Sequence, residues 1–270
     1  MVPVMSDAFQ HALAQSLPLL QEIRDGIKPA PKASRAALNL LRKSAAALTP
    51  VESTVLPQTP PAQAEWTWEA LQKAILTCQK CPNLVNSRTQ VVFGVGNRAA
   101  DLMFVGEAPG ADEDAQGKPF VGRAGQLLTK IIEAMGFSRD DIFIANVLKC
   151  RPDMPEGESG NRKPRGDEMA TCLPWLREQI TLVKPRAIVA LGATAAEGLL
   201  GETRPMRELR GAWLEFQGIP VMVTYHPAYL LRNQTITEKR KVWEDMLLVL
   251  KKLGHAITPK QERFFTQPAP

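Results

Sequence analysis

No segment of this 270-residue chain approaches the roughly 18–20 consecutive apolar residues of a membrane span, so no membrane helix is expected. The N-terminus also lacks a basic stretch followed by a continuous apolar core, and no secretory signal is expected. A cytoplasmic protein, associated with the nucleoid, is the reading that follows. Internal repeats are absent as well. Histidine is confined to positions 11, 226 and 255, and cysteine to positions 78, 81, 150 and 172. Four cysteines in a cytoplasmic chain are not expected to pair as disulfides, which leaves metal binding or buried thiols.

The apolar content of 44% is enough to bury one substantial core. A formal charge of +5 and a pI near 9.1 suit a polyanionic partner without establishing one. Residues 1–64 differ from the rest. An amphipathic helix fits residues 1–26, where Phe9, Leu13, Leu17 and Leu20 fall near helical spacing, and a second helix fits 34–48 in an Ala/Pro-rich stretch. Pro57 to Pro61 reads as linker. This extension is expected to be a tether, or else an arm that binds a replication or repair partner or DNA. Residues 65–255 form the expected globular domain, and 256–270 a flexible tail.

Within the domain, strands are expected at 102–106, 142–146, 187–191 and 219–224, and helices at 122–136, 166–182, 193–200 and 235–253. The alternation predicts an α/β fold, with a central, mostly parallel four-stranded sheet flanked by helices. Glu107, Asn146, Gly192 and His226 then sit at or just beyond strand carboxyl ends, where open α/β sheets bind ligands.

Two segments carry the chemistry. Residues 106–125, Gly-Glu-Ala-Pro-Gly-Ala-Asp-Glu-Asp-Ala-Gln-Gly-Lys-Pro-Phe-Val-Gly-Arg-Ala-Gly, combine glycines, prolines, acids and one phenylalanine between a strand and a helix. Such material builds a binding loop rather than a core, and a loop of this length is usually functional. The second segment is the strand 221–224 running into Tyr225-His226-Pro227, which sets the histidine at a strand end with its turn fixed by proline. The cysteines add a third element. Cys78-x2-Cys81 offers two thiolates on one turn, and Cys150 and Cys172 complete four. Zinc and a [4Fe–4S] cluster both fit that ligand count.

Read together, these motifs resemble the uracil-DNA glycosylase superfamily, most closely its iron–sulfur-containing family 4. The resemblance covers about Cys78 to Leu253. It rests on Gly-Glu-Ala-Pro-Gly at 106–110, Pro-Phe-Val-Gly-Arg-Ala-Gly at 119–125, Asn-Val-Leu-Lys-Cys-Arg-Pro at 146–152, Asn-Arg-Lys-Pro at 161–164, Leu-Gly-Ala-Thr-Ala at 191–195 and His-Pro-Ala-Tyr-Leu-Leu-Arg at 226–232.

The resemblance implies a monomeric DNA-repair enzyme that flips uracil from DNA and hydrolyses its N-glycosidic bond. It favours a [4Fe–4S] cluster on the four cysteines. Phe120 matches the aromatic that stacks on the base, Asn146 the residue that reads its Watson–Crick edge, and His226 the donor to uracil O2. Gly106, Glu107 and Ala108 complete the expected uracil site through their backbone. Ala108 stands where the best-known branch has a water-directing aspartate, so Glu107 becomes the expected catalytic acid, with Asp112, Glu113 and Asp114 as alternatives. Glu113 has a second expected role in excluding thymine's methyl group. Arg162 and Lys163, with Arg151 and Arg165 nearby, are expected at phosphate. Leu230, Leu231 and Arg232 are expected on a loop that enters the minor groove.

Three rival readings have distinct consequences. A branch that traps uracil-DNA covalently uses a histidine in the loop after Cys150, and residues 160–166 here contain none. A non-catalytic iron–sulfur DNA-binding adaptor would be indifferent to changes at His226 or Asn146. A nucleotide-binding protein using the 106–125 loop would set the acids at 112–114 against phosphate.

Overall fold

Four apolar runs, each closed by a glycine or a polar residue, become the centre of one sheet. The computed structural model describes residues 66–266 except 156 and 159. The expected helices at 1–26 and 34–48 and the linker at 57–61 lie outside the described residues. The strands are β1 (Val95–Gly96), β2 (Leu102–Gly106), β3 (Phe143–Asn146), β4 (Ala187–Leu191), β5 (Trp213–Phe216) and β6 (Ile219–Thr224). Their order is β1-β3-β2-β4-β6-β5. The four expected strands are the parallel centre, β3-β2-β4-β6. The sheet has six strands rather than four, because antiparallel β1 and β5 extend its two edges.

Both added strands have local causes. Only two residues of β1 pair, too short a stretch for a periodic signal. Strand β5 joins β6 through Gln217 and Gly218, at φ 52° and 79°, the doubly left-handed pair that a tight hairpin requires.

Successive residues of the central strands feed opposite cores. Met103, Val105, Ile188, Ala190, Val221 and Val223 face one side, where α1 (Trp68–Leu76), α5 (Gly166–Val183) and α6 (Ala193–Leu200) pack. Leu102, Phe104, Val189, Leu191 and Met222 face the other, against α4 (Arg123–Met135) and α9 (Ile236–Leu253). Helix α4 buries Leu128, Ile132 and Met135 at helical spacing and stops at Gly136, which adopts φ 94°. Burial on both faces explains why the central strands read as continuous apolar runs.

Shorter helices fill the connections: α2 (Pro82–Ser87), α3 (Ala111–Gln116), α7 (Met206–Leu209), α8 (Pro227–Arg232) and α10 (Pro259–Glu262). Two of them correct the sequence reading. The 106–125 segment contains α3, and the segment after His226 is α8 rather than a loop. The C-terminal segment also departs from a loose tail as far as Thr266. Thr258 caps α10, Trp243 Nε1 donates to Gln261 O at 2.6 Å, Gln261 Nε2 donates to Ala134 O at 2.9 Å, and Phe264 packs against Trp243.

Candidate active site

The sheet register aligns the strand ends that bear the site. Gly106 pairs with Asn146 and Leu191 with Thr224, while Gly192 N–H donates to Thr224 O at 2.8 Å. Beyond that edge lies a cavity of about 430 Å³, lined by Glu107, Ala108, Gly110, Glu113, Phe120, Asn146 and His226, among others. Asn146 is 2% exposed, and its Oδ1 is buried with no hydrogen-bond partner among the described residues. A buried polar atom left unpaired is costly.

Phe120 forms a wall beside it. Its ring lies 5.7 Å from the His226 ring at an interplanar angle of 32°. Its backbone adopts φ 54°, an uncommon conformation for a bulky residue and one that must be held by its surroundings. Glu113 supplies part of that hold: Oε1 accepts from Val121 and Gly122 N–H at 2.9 and 3.0 Å, and Oε2 from Gly110 N–H at 3.1 Å. Two glycines make room. A Cβ on Gly106 would lie 2.4 Å from Asn146 Oδ1 and 2.5 Å from Phe120 Cζ. A Cβ on Gly125 would lie 1.9 Å from the Phe120 carbonyl oxygen. Neither site has space for a side chain.

His226 caps α8. Its Nδ1 accepts from Ala228 N–H at 3.1 Å, so the neutral ring carries its proton on Nε2. Burial first, and Arg232 second, push its pKa down to about 4 against the opposing influence of Glu113. The imidazole is therefore a neutral donor at neutral pH. Glu107 follows β2, its carbonyl accepting from Leu148 N–H at 3.1 Å. Burial raises its carboxyl above the ordinary value, opposed by Thr194 and Lys163. A carboxylate so raised is the more basic for it.

A second pocket, with no lining residue in common, brings all four cysteines together. Cys78 and Cys81 stand between α1 and α2, Cys150 follows β3, and Cys172 lies in α5. Leu84, Leu148 and Trp175 share the lining. Arg88 donates to Cys150 Sγ at 2.9 Å and to Cys78 O at 2.9 Å, and Lys149 N–H donates to Cys172 Sγ at 3.3 Å. Burial raises Cys81, Cys150 and Cys172, the last to about 12. Among the described residues, no three His, Cys, Asp or Glu side chains are grouped to hold a single metal ion. The four thiols line one common pocket.

The family model for the uracil DNA glycosylase superfamily matches residues 93–247, the stretch that supplies β1 to β6 and the whole lining of the cavity. The chain belongs to that superfamily. It is 42% identical over 180 residues to the type-4 uracil-DNA glycosylase of Thermotoga maritima, covering 66% of this chain and 90% of that protein. It is 41% identical over 202 residues to the type-4 enzyme of Sulfurisphaera tokodaii, covering 72% and 86%. The type-4 enzyme of Archaeoglobus fulgidus is 37% identical over 201 residues, covering 72% and 94%.

Several expected site residues of this glycosylase-family chain have placements the sequence did not suggest. Arg162, 20% exposed at its side chain, is held by Glu168 at 2.7 Å and by Asp153, with Asn83 bridging the same two carboxylates. Its guanidinium braces the loop inward. Lys163 is 58% exposed and pairs with Glu197 at 2.6 Å. Leu230 is buried in α8, so it belongs to the core and not to a wedge, whereas Leu231 is half-buried and Arg232 exposed. Asp114 is buried and bonded to Thr89 and Gln90 N–H, outside the cavity lining, which removes it from the water-directing acids.

Three further residues escaped sequence reasoning. Asn161 lines the cavity, Thr194 acts on Glu107, and buried Lys149 donates from Nζ to Asn146 O at 2.9 Å and Gln179 Oε1 at 2.5 Å. Lys149 stood in a quoted motif between Asn146 and Cys150, and that adjacency was the available signal.

Proposed function

We propose that the protein removes uracil from DNA by hydrolysis, releasing free uracil and leaving an abasic site for repair. The observation that carries this reading is the unpaired, buried Asn146 Oδ1 in a cavity walled by Phe120 and faced by a neutral His226. Uracil's glycosidic bond is inaccessible within a duplex, so the nucleotide is flipped into the cavity and stacks on Phe120. Asn146 Oδ1 accepts from uracil N3–H while its amide donates to O4. Cytosine presents an acceptor at N3 and a donor at C4, so the same carboxamide rejects it.

As the N1–C1′ bond breaks, its electron pair stays on the base and positive character grows on the sugar. His226 Nε2–H donates to uracil O2 as that charge develops. A single preorganised donor of this kind is typically worth about 2.7–4 kcal/mol. Water adds to C1′ from the opposite face, and its proton passes to the carboxylate of Glu107, which lines the cavity. Glu113 is a weaker candidate for that step, because both its oxygens accept backbone N–H groups. Its place in the lining suits exclusion of thymine's methyl group.

Cys78, Cys81, Cys150 and Cys172 are the residues that would hold a [4Fe–4S] cluster. Four thiols lining one pocket suit either group by ligand count, and the resemblance to the iron–sulfur-containing family 4 favours the cluster over zinc. Four cysteine ligands leave no open iron position, so the group supplies cross-linking of these segments rather than Lewis acidity. Lys163, Leu231 and Arg232 are the groups facing DNA, and Arg162 supports them from within. The protein acts as a monomer in the cytoplasm, near the nucleoid.

The test is excision from oligonucleotides carrying one uracil, with alkali revealing abasic sites and a denaturing gel before alkali revealing any adduct. Uracil-dependent scission that His226→Ala slows by about 10²–10³-fold is expected. An alkali-independent shifted band would transfer the protein to the covalent-trapping branch. Absence of both products, with iron retained, would leave the adaptor reading.

A further inference from the structure

The cysteine pocket and the base cavity share no lining residue, yet one buried side chain joins them. Asp114 is 3% exposed and lies on α3 beside Glu113. Its carboxylate accepts Thr89 N–H at 3.0 and 2.9 Å and Gln90 N–H at 3.4 Å, and Gln90 Nε2 in return donates to Ala115 O at 2.7 Å. Residue 88, next in the chain, is the arginine that bonds Cys150 Sγ and Cys78 O. On the other side of Asp114, Glu113 gathers the N–H groups of Gly110, Val121 and Gly122. An unbroken path of hydrogen bonds and adjacent residues thus runs from two cysteines to the peptide following Phe120.

Phe120 needs such a path. Its left-handed backbone persists only where the surroundings over-determine it. Gly125 admits its carbonyl from the α4 side, and Glu113 holds the next two amides from the α3 side. The position of Glu113 depends on α3, a helix of six residues, too short to be rigid by itself. The bonds from Thr89 and Gln90 to Asp114 anchor it.

We propose that Asp114 is a positioning residue, through which the cysteine-bearing segment sets the Phe120 wall of the base cavity. It touches neither base nor reacting atoms. The inference rests on the reading of Phe120 as the stacking wall.

The experiment measures single-turnover uracil excision by the iron-loaded protein, in Asp114→Asn, Asp114→Ala, Phe120→Ala and the Asp114→Asn/Phe120→Ala double variant. Iron, acid-labile sulfide and visible absorbance are recorded for each. Asp114→Asn is expected to slow excision by about 10- to 100-fold, the scale of a modest misplacement. Its iron and sulfide should equal those of the wild type. In the Phe120→Ala background the same change is expected to add little, because its effect passes through the ring.

A full further loss in the double variant would overturn the proposal, as would a wild-type rate for Asp114→Asn. Insolubility or loss of iron in both Asp114 variants would also overturn it, assigning the residue to folding alone. A wild-type rate for Phe120→Ala would instead defeat the stacking reading itself, and the inference with it.

Discussion

The cysteine pocket and the cavity at the sheet edge both draw residues from the end of β3 and the chain just after it, and they differ in how their walls are held. Around the cysteines, Arg88 and the Lys149 amide donate to sulfur, Leu84 and Leu148 pack beside them, and Trp175 Nε1 is buried with no partner among the described residues. In the base cavity, Asn146 Oδ1 has no partner among the described residues, Phe120 adopts a backbone conformation that must be imposed, and Gly106 leaves room for both. One region is organised to hold its own chain together. The other holds Phe120 in an uncommon backbone conformation beside an open cavity. The difference teaches where backbone strain is held: at the Phe120 wall, while the sulfur-bonded region ties its own segments together.

The largest expected effect lies in the cavity. Asn146→Ala and His226→Ala should each lower uracil excision by about 10²–10³-fold with little change in melting temperature, measured by single-turnover assay and thermal unfolding. Large stability losses would merge the two regions into one structural unit. Next is Glu107→Gln, expected to slow excision by about 10²-fold, the lower end of general base catalysis. The pH profile sharpens this. In the wild type, excision should fall as pH drops through the raised Glu107 ionisation, because the protonated acid cannot accept from water. In Glu107→Gln the residual activity should persist to lower pH and fall near pH 4, where His226 gains a proton on Nδ1 and loses the Ala228 bond. An unmoved limb would assign the titration to another group.

Gly106→Ala ranks third. Its new methyl would displace Asn146 and Phe120 together, and excision should drop by about 10- to 100-fold while iron content holds. The smallest kinetic effects separate Arg162 from Lys163. Arg162→Ala leaves Glu168 with Arg165 at 3.0 Å as its remaining cation and should destabilise the fold by about 1.5–3 kcal/mol, read by denaturant unfolding. Lys163→Ala should leave stability intact and reduce the salt slope of DNA binding by about 1. A reversed pattern would make Arg162 the phosphate contact.

The sequence revealed the parallel centre of the sheet because each central strand is an apolar run buried on both faces and ended by a turn signal. It concealed β5, whose Trp-Leu-Glu-Phe mixes apolar and charged residues, although the Gln217-Gly218 turn marked the hairpin. Helix α3 was hidden for a different reason. Ala-Asp-Glu-Asp-Ala-Gln has no apolar period, and its helicity rests on Glu113 and Asp114 bonding to residues distant in sequence. The same limit applies to Arg162. Its charge was visible, and its partners Asp153 and Glu168 were visible as acids, but only folding places them against it. Phe120, Asn146 and His226 stood out because each follows a recognisable strand or loop signal. Lys149 and Asp114 act through the backbone of other residues, and no residue pattern announces that.

The most direct measurement compares single-turnover excision of uracil, cytosine and thymine from otherwise identical oligonucleotides by the wild type and Asn146→Ala. The account predicts excision of uracil alone by the wild type. It also predicts that Asn146→Ala loses most of the uracil rate and, with it, most of the discrimination against cytosine. An Asn146→Ala protein that still excises uracil at the wild-type rate and rejects cytosine would contradict the claim that the unpaired Asn146 carboxamide reads the base.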